Sequence, residues 1–147
     1  MTTATEASAT VRIAHTEADI RACFRVIAQL RPHLDEERFI EQVYRQEKQG
    51  YRLAYLAEGP TVHAVAGFRK AESLAWGRYL YVDDLVTESS ERSRGYGTVL
   101  LDWIIRHART TSCEQVHLDS GVHRFDAHRF YLRKGMDIVC HHFAIVA

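Results

Sequence analysis

The apolar positions of the chain change period along its length. Ile20, Cys23, Phe24, Ile27 and Leu30 recur at the three- and four-residue spacing of one helix face. Thr16 stands ahead of them with Asp19 three residues on, the arrangement of a capping box, and Pro32 ends the run. A second helix is predicted from Asp35, with Glu36 and Glu37 in the first turn, where the helix dipole favours carboxylates. Phe39 and Val43, with Tyr44 beside them, supply its apolar face, and Gly50 is its stop. Residues 11–14 read as a short opening strand before these helices. After them the pattern becomes strand-like over 51–57 and 61–68, joined by the turn Glu58-Gly59-Pro60, and again over 76–86, rich in Tyr, Val and Leu. Residues 99–108 carry Leu100, Leu101, Trp103, Ile104 and Ile105, apolar on so much of the surface that the helix must pack on a sheet. A short strand over 116–119, a helix over 127–134 ended by Gly135, and a closing strand over 138–146 complete the chain. The order predicts an α/β (mixed α+β) fold, a mostly antiparallel mixed sheet flanked by helices. With no linker or repeat in view, residues 11–147 read as one domain behind a disordered tail of residues 1–10.

Composition narrows the function classes. The 147 residues are 46% apolar and 26% charged, as in globular proteins, and 19 basic residues balance 19 acidic ones. That balance removes the main electrostatic reason to expect a nucleic acid or an anionic membrane as partner. No apolar run approaches the roughly 20 residues that span a bilayer. Residues 1–10 lack the basic start and apolar stretch of a secretory signal, so a cytoplasmic location is expected. Cys23, Cys113 and Cys140 show neither metal nor redox spacing and read as buried free thiols. Among nine histidines, His141 and His142 sit side by side in the expected closing strand, facing opposite ways. No metal site is expected.

The chemistry concentrates in Arg92-Ser93-Arg94-Gly95-Tyr96-Gly97, between a strand and a helix. Glycines there let the backbone turn tightly enough for several N–H groups to converge on an anion. The helix N-terminus adds its dipole, and Arg92 and Arg94 add formal charge. A Gly-x-Gly alone is a common way to start a helix, but its surroundings are specific. Arg92-x-x-Gly95-x-Gly97 resembles the Arg/Gln-x-x-Gly-x-Gly/Ala signature of the GNAT N-acetyltransferase superfamily, behind a strand ending Asp83-Asp84-Leu85-Val86. About 30 residues on, the stretch Ala127-His128-Arg129-Phe130-Tyr131-Leu132-Arg133-Lys134-Gly135-Met136 resembles the family's A-x-x-F-Y-x-x-x-G-F motif. The element order is also that of the GNAT fold, so the resemblance covers nearly the whole chain.

The resemblance implies a fold whose central parallel strands splay to admit acetyl-CoA as co-substrate. Backbone N–H groups of Arg92, Ser93, Arg94, Gly95, Tyr96, Gly97 and Thr98 would hold the pyrophosphate. Leu85, Val86 and Thr87 would pair with the pantetheine arm as with another strand. The family's Asn, three residues before the motif's Ala, is replaced here by Arg124, so no side-chain contact is carried over. Direct transfer to a primary amine of a small molecule or protein needs a neutral nucleophile. At about pH 7.4 an alkyl amine with a pKa of about 10.4 costs roughly 4 kcal/mol to neutralise. Asp83 and Asp84 are candidate general bases; on a regular strand only one of them can face the acceptor cleft. Tyr131 matches the family's general acid, and protonating a leaving thiolate from a phenol is only roughly 2 kcal/mol uphill. Backbone amides near Leu85 and Val86 could polarise the thioester carbonyl.

The acceptor cleft in this fold would draw on residues 31–55 and 76–81. Tyr44, Tyr51, Trp76 and Tyr79 could line it, and Arg31 and His33 could meet an acidic group on the acceptor. A non-catalytic acyl-CoA-binding sensor of the same fold is the alternative; Tyr131 favours the enzyme. A different nucleotide-binding module is disfavoured by the absence of a Gly-Lys-Ser/Thr ending to the loop. The apolar closing strand could offer an edge to a second copy, giving a homodimer.

Overall fold

The computed structural model describes residues 9–147. Residues 1–8 of the expected tail lie outside that range, whereas Thr10 already belongs to the first strand, β1 (Thr10–Ile13). Thr16 then caps α1 (Glu17–Leu30): its side chain accepts from the Asp19 amide, and the Asp19 carboxylate accepts from the Thr16 amide. Such a cap stabilises a helix by about 1 kcal/mol. Asp35 caps α2 (Glu36–Glu47) through the Arg38 amide. Gly50, at φ 94°, makes the turn into β2 (Tyr51–Glu58). A tight turn at Gly59-Pro60 leads into β3 (Thr61–Ser73), which runs five residues beyond its predicted end before turning into β4 (Gly77–Thr87). A 3-10 helix (Ser89–Arg94), α3 (Tyr96–Thr110), β5 (Gln115–Leu118) and α4 (Phe125–Arg133) follow.

The strands form a five-stranded mixed sheet in the order β1-β2-β3-β4-β5, with the first three pairings antiparallel. Ile20, Cys23, Val26 and Ile27 of α1 and Phe39, Ile40 and Val43 of α2 are buried with Tyr51, Leu53, Tyr55 and Val65 on one face of the sheet. Burying each large aliphatic or aromatic side chain stabilises by about 1.5–3 kcal/mol. Tyr51 lies opposite Arg69 and Leu53 opposite Gly67, so Phe68 points to the other face. There it meets Trp103 and His107 of α3, at ring separations of 6.4 and 5.5 Å. α3 therefore covers the face opposite α1 and α2, with Leu100, Leu101 and Ile104 fully buried.

Two irregularities interrupt the ladder. Between β2 and β3 the register passes from Leu56↔Ala64 to Ala57↔Val62, leaving His63 as an extra residue. Between β3 and β4 it passes from Gly67↔Asp84 to Phe68↔Val82, leaving Asp83 extra. Each is a β-bulge, which locally suspends the two-residue alternation and re-aims a side chain.

The chain divides into two compact units, one ending at His117 and one spanning residues 118–147. Within the second, Gly135, at φ 86°, follows α4. The closing strand expected over 138–146 does not form, and Ile138, Val139, Phe143, Ile145 and Val146 are exposed. β-branched and aromatic residues supply strand propensity, but a strand also needs a neighbour to complete its ladder. The edge expected to receive a second copy is therefore absent among the described residues. His141 and His142 accordingly do not alternate across a strand; His142 Nδ1 instead lies 2.7 Å from the Asp119 carboxylate. Cys23 and Cys113 are buried, and burial pushes the Cys23 thiol up to about 12. Cys140 is exposed, contrary to expectation, because it lies in the segment that forms no strand. Tyr44, expected on the apolar face of α2, is 41% exposed, and the buried residues of that helix are Phe39, Ile40 and Val43.

Candidate active site

The segment expected to be a loop is more ordered than its glycines suggest. Ser89–Arg94 winds as a 3-10 helix, Gly95 adopts the left-handed conformation at φ 81°, and α3 begins at Tyr96. No side chain caps α3, whose first main-chain bond runs from the Val99 N–H to the Gly95 carbonyl at 3.1 Å. The amides of Tyr96, Gly97 and Thr98 therefore project from the positive end of a helix 15 residues long. Arg92, Ser93, Arg94 and Gly95 are exposed at the same end. This is the chemistry that a diphosphate needs: fixed amide dipoles with guanidinium groups beside them.

The turn is tied down from three sides. Glu88, buried at its start, accepts from Arg25 and Gln29 of α1 and from the Ser90 amide. Gln29 and the other donors hold its carboxyl well below the usual range, at about 2. Ser89 N–H donates to Gln29 at 2.9 Å, and Glu91 meets His63. At the far end Tyr96 donates its hydroxyl to Glu58 at 2.9 Å. Upstream, Leu85, Val86 and Thr87 end β4 opposite Ala66, Val65 and Ala64.

On the opposite face the β4 bulge gathers the acids. Asp84 accepts from the Tyr51 hydroxyl at 2.7 Å and from Arg31 Nε at 3.0 Å. Arg31 also donates to the Asp83 carbonyl at 3.1 Å. The Asp83 carboxylate pairs with Arg69 Nε at 3.1 Å, and the Arg69 guanidinium lies over the Tyr81 ring. Tyr51 and Arg69 are cross-strand partners, so both carboxylates find their partners on the same side of the sheet. The extra residue suspends alternation there, yet of the two acids only Asp84 lines the cleft beside them. Gly67 makes the arrangement possible: a Cβ there would lie 1.7 Å from the Tyr51 oxygen and 2.7 Å from an Asp84 oxygen.

The two acids differ. Both Asp84 oxygens are engaged, and its side chain is 15% exposed against 28% for Asp83. Burial raises the Asp83 carboxyl above its ordinary value even though Arg69 opposes the shift. Burial, then Asp84, raise the Tyr51 phenol well above 10. A cleft of about 300 Å³ opens beside Asp84, lined by Arg31, His33, Leu34, Gln42 and Tyr51 among others. Arg31, expected to meet an acidic group on a ligand, is thus engaged by the protein's own acids. Tyr44 is not among the residues lining this cleft. Trp76 stacks on His117 at 3.6 Å and meets the Tyr79 ring edge-on.

Tyr131 belongs to the second unit, half-buried on α4 with its ring 5.5 Å from that of Phe130. Burial raises its phenol and Arg124, at the start of the helix, opposes the shift. Among the described residues no cluster of three or more His, Cys, Asp or Glu could hold a metal, and no helix is long and apolar enough to cross a membrane.

Sequence reading missed Gly67, Glu88 and His63. Each acts through partners distant in the chain, and no local spacing signals them. For Gly67 the one available hint was a glycine inside an apolar strand, a common mark of a bulge or close approach.

The model of the acetyltransferase (GNAT) family matches residues 15–136. An uncharacterized N-acetyltransferase of Bacillus subtilis (strain 168), YhdJ, is 37% identical over 112 residues, 76% of this chain and 79% of the relative. Among solved structures, a transcriptional regulator from Bacillus halodurans C-125 superposes with a TM-score of 0.83 at 21% identity, over 95% of this chain and all of the other. Glucosamine-6-phosphate N-acetyltransferase from Arabidopsis thaliana gives 0.74 at 17% identity, over 95% and 98% of the two chains. At these identities the two structures share the fold.

Proposed function

The chain belongs to the GNAT acetyltransferase family, and on that premise we propose that it transfers acetyl from acetyl-CoA to a primary amine by direct attack in a ternary complex. The observation that carries the co-substrate is the uncapped start of α3 behind Gly95. Its three leading amides, with Arg92 and Arg94, take the diphosphate, and the end of β4 at Leu85, Val86 and Thr87 takes the pantetheine arm as an added strand.

The amine enters from the face that carries the two acids. Asp83 is the general base in this reading. Its carboxylate has one arginine partner and is made more basic by burial, whereas Asp84 is held on both oxygens and serves to fix Tyr51 and Arg31. As the amine nitrogen attacks the thioester carbonyl, its proton passes to Asp83 directly or through water. The C–S bond breaks with its electron pair on sulfur, and the Tyr131 phenol protonates the departing thiolate. Residues 11–147 act as one acetyltransferase domain in this reading.

The test is release of free thiol from acetyl-CoA across a panel of small amines, amino acids and peptides. Acceptor-dependent release is expected. Tight CoA binding with no release for any acceptor would replace the enzyme with an acyl-CoA-binding protein. Tyr131→Phe should lower turnover about tenfold or more while leaving acetyl-CoA affinity near that of the parent; unchanged turnover removes the acid role.

A further inference from the structure

His63 is the extra residue of the bulge between β2 and β3, and the bulge turns its side chain toward the start of α3. It is 7% exposed. Its ring stacks on that of Tyr96 at 4.4 Å and 7°. One ring nitrogen, Nε2, lies 3.3 Å from Glu58, and the other, Nδ1, lies against the Glu91 carboxylate. His63 thus sets one ring nitrogen against each of the two carboxylates. Its carbonyl accepts from the Glu88 N–H at 2.8 Å, so the bulged backbone also fixes the start of the turn. His63 thus meets the turn at three points: Glu88 at the entrance, Glu91 in the 3-10 helix and Tyr96 at the start of α3.

Charge gives the arrangement a purpose. Glu91 is the neighbour of Arg92, and Tyr96 donates to Glu58, so two carboxylates stand just behind a site for a doubly charged anion. Unpaired, they would repel it. We propose that His63 is a positioning residue for coenzyme binding: its ring nitrogens hold Glu58 and Glu91 away from the diphosphate site, and its ring holds Tyr96 at the mouth. This rests on the reading that the turn binds CoA.

The experiment is calorimetric titration of the full chain with CoA, using the parent, His63→Phe, Glu91→Gln and the double variant, with thermal melts to establish that each is folded. Phenylalanine keeps a ring against Tyr96 and removes both nitrogens. His63→Phe is expected to weaken CoA about tenfold, because it leaves the Glu91 carboxylate without the ring nitrogen that holds it back. The double variant should recover to within about threefold of the parent, since glutamine removes the charge that the histidine no longer meets. A role confined to packing gives no such rescue. If His63→Phe does not fold, His63→Gln, which keeps a donor for one carboxylate, should show about a threefold loss that Glu91→Gln abolishes. A folded His63 variant that binds as tightly as the parent, or losses that add in the double variant, overturns this inference alone. A parent that binds no CoA overturns it together with the proposed co-substrate.

Discussion

The two bulges of the sheet do different things to the faces they serve. The Asp83 bulge brings two acids to the α1–α2 face, where Gly67 clears the space and Arg31, Arg69 and Tyr51 fix each carboxylate. The His63 bulge turns a base toward α3, where it meets acids already placed by the 3-10 helix and by the end of β2. One builds a site from side chains whose partners lie 33 and 53 residues apart. The other stands behind the proposed diphosphate site, which is made of consecutive main-chain amides. A side-chain site depends on every long-range partner, while an amide site depends on one backbone conformation and tolerates variation around it.

The sharpest way to break this contrast is Gly67→Val. Any Cβ there collides with Tyr51 and Asp84, so the variant should lose about 3 kcal/mol of stability in urea unfolding, with the acid pair disrupted. A variant as stable as the parent would show that the cleft does not depend on close approach. Next in size, Asp83→Asn should lower kcat/KM about 100-fold. In the parent, kcat/KM should fall as acid protonates this carboxyl, at a pH above the ordinary aspartate value, because burial raises it. If Asp84→Asn removes that limb while Asp83→Asn keeps it, the two acids exchange roles. The smallest effect is expected at the anchor of the turn. The Glu88 carboxyl sits at about 2 in the folded chain against an ordinary 4.5. Its contribution to stability is therefore complete above about pH 4.5 and disappears as pH falls toward 2. Glu88→Gln should lower the melting temperature by a few degrees at neutral pH, and the gap should close on acidification. A gap independent of pH would remove the charge from that anchor.

The elements were legible where the signal is local. Thr16 and Asp19 form the capping box that their spacing predicts, Asp35 caps the second helix, and the buried faces of α1 and α3 follow the apolar stripes. The turn was legible for the same reason, since Gly95 takes the positive φ that an L side chain resists. Alternation misled in two places. It ran unbroken through Asp83, where the ladder has a bulge, and it drew a closing strand over residues 138–146 that the fold does not pair. In each case the sequence carries a preference, and the neighbouring strand decides whether that preference is used.

From its sequence alone this chain determined its helices, the caps of the first two, most of its strands and the glycine turn of its family. These are settled by interactions between residues a few positions apart. The tertiary structure alone decided where the ladder slips, which carboxylate is held and which is left more basic, and that His63 lies behind the turn. Those outcomes arise from contacts between segments tens of residues apart, whose geometry exists only once the sheet has closed on both layers of helices.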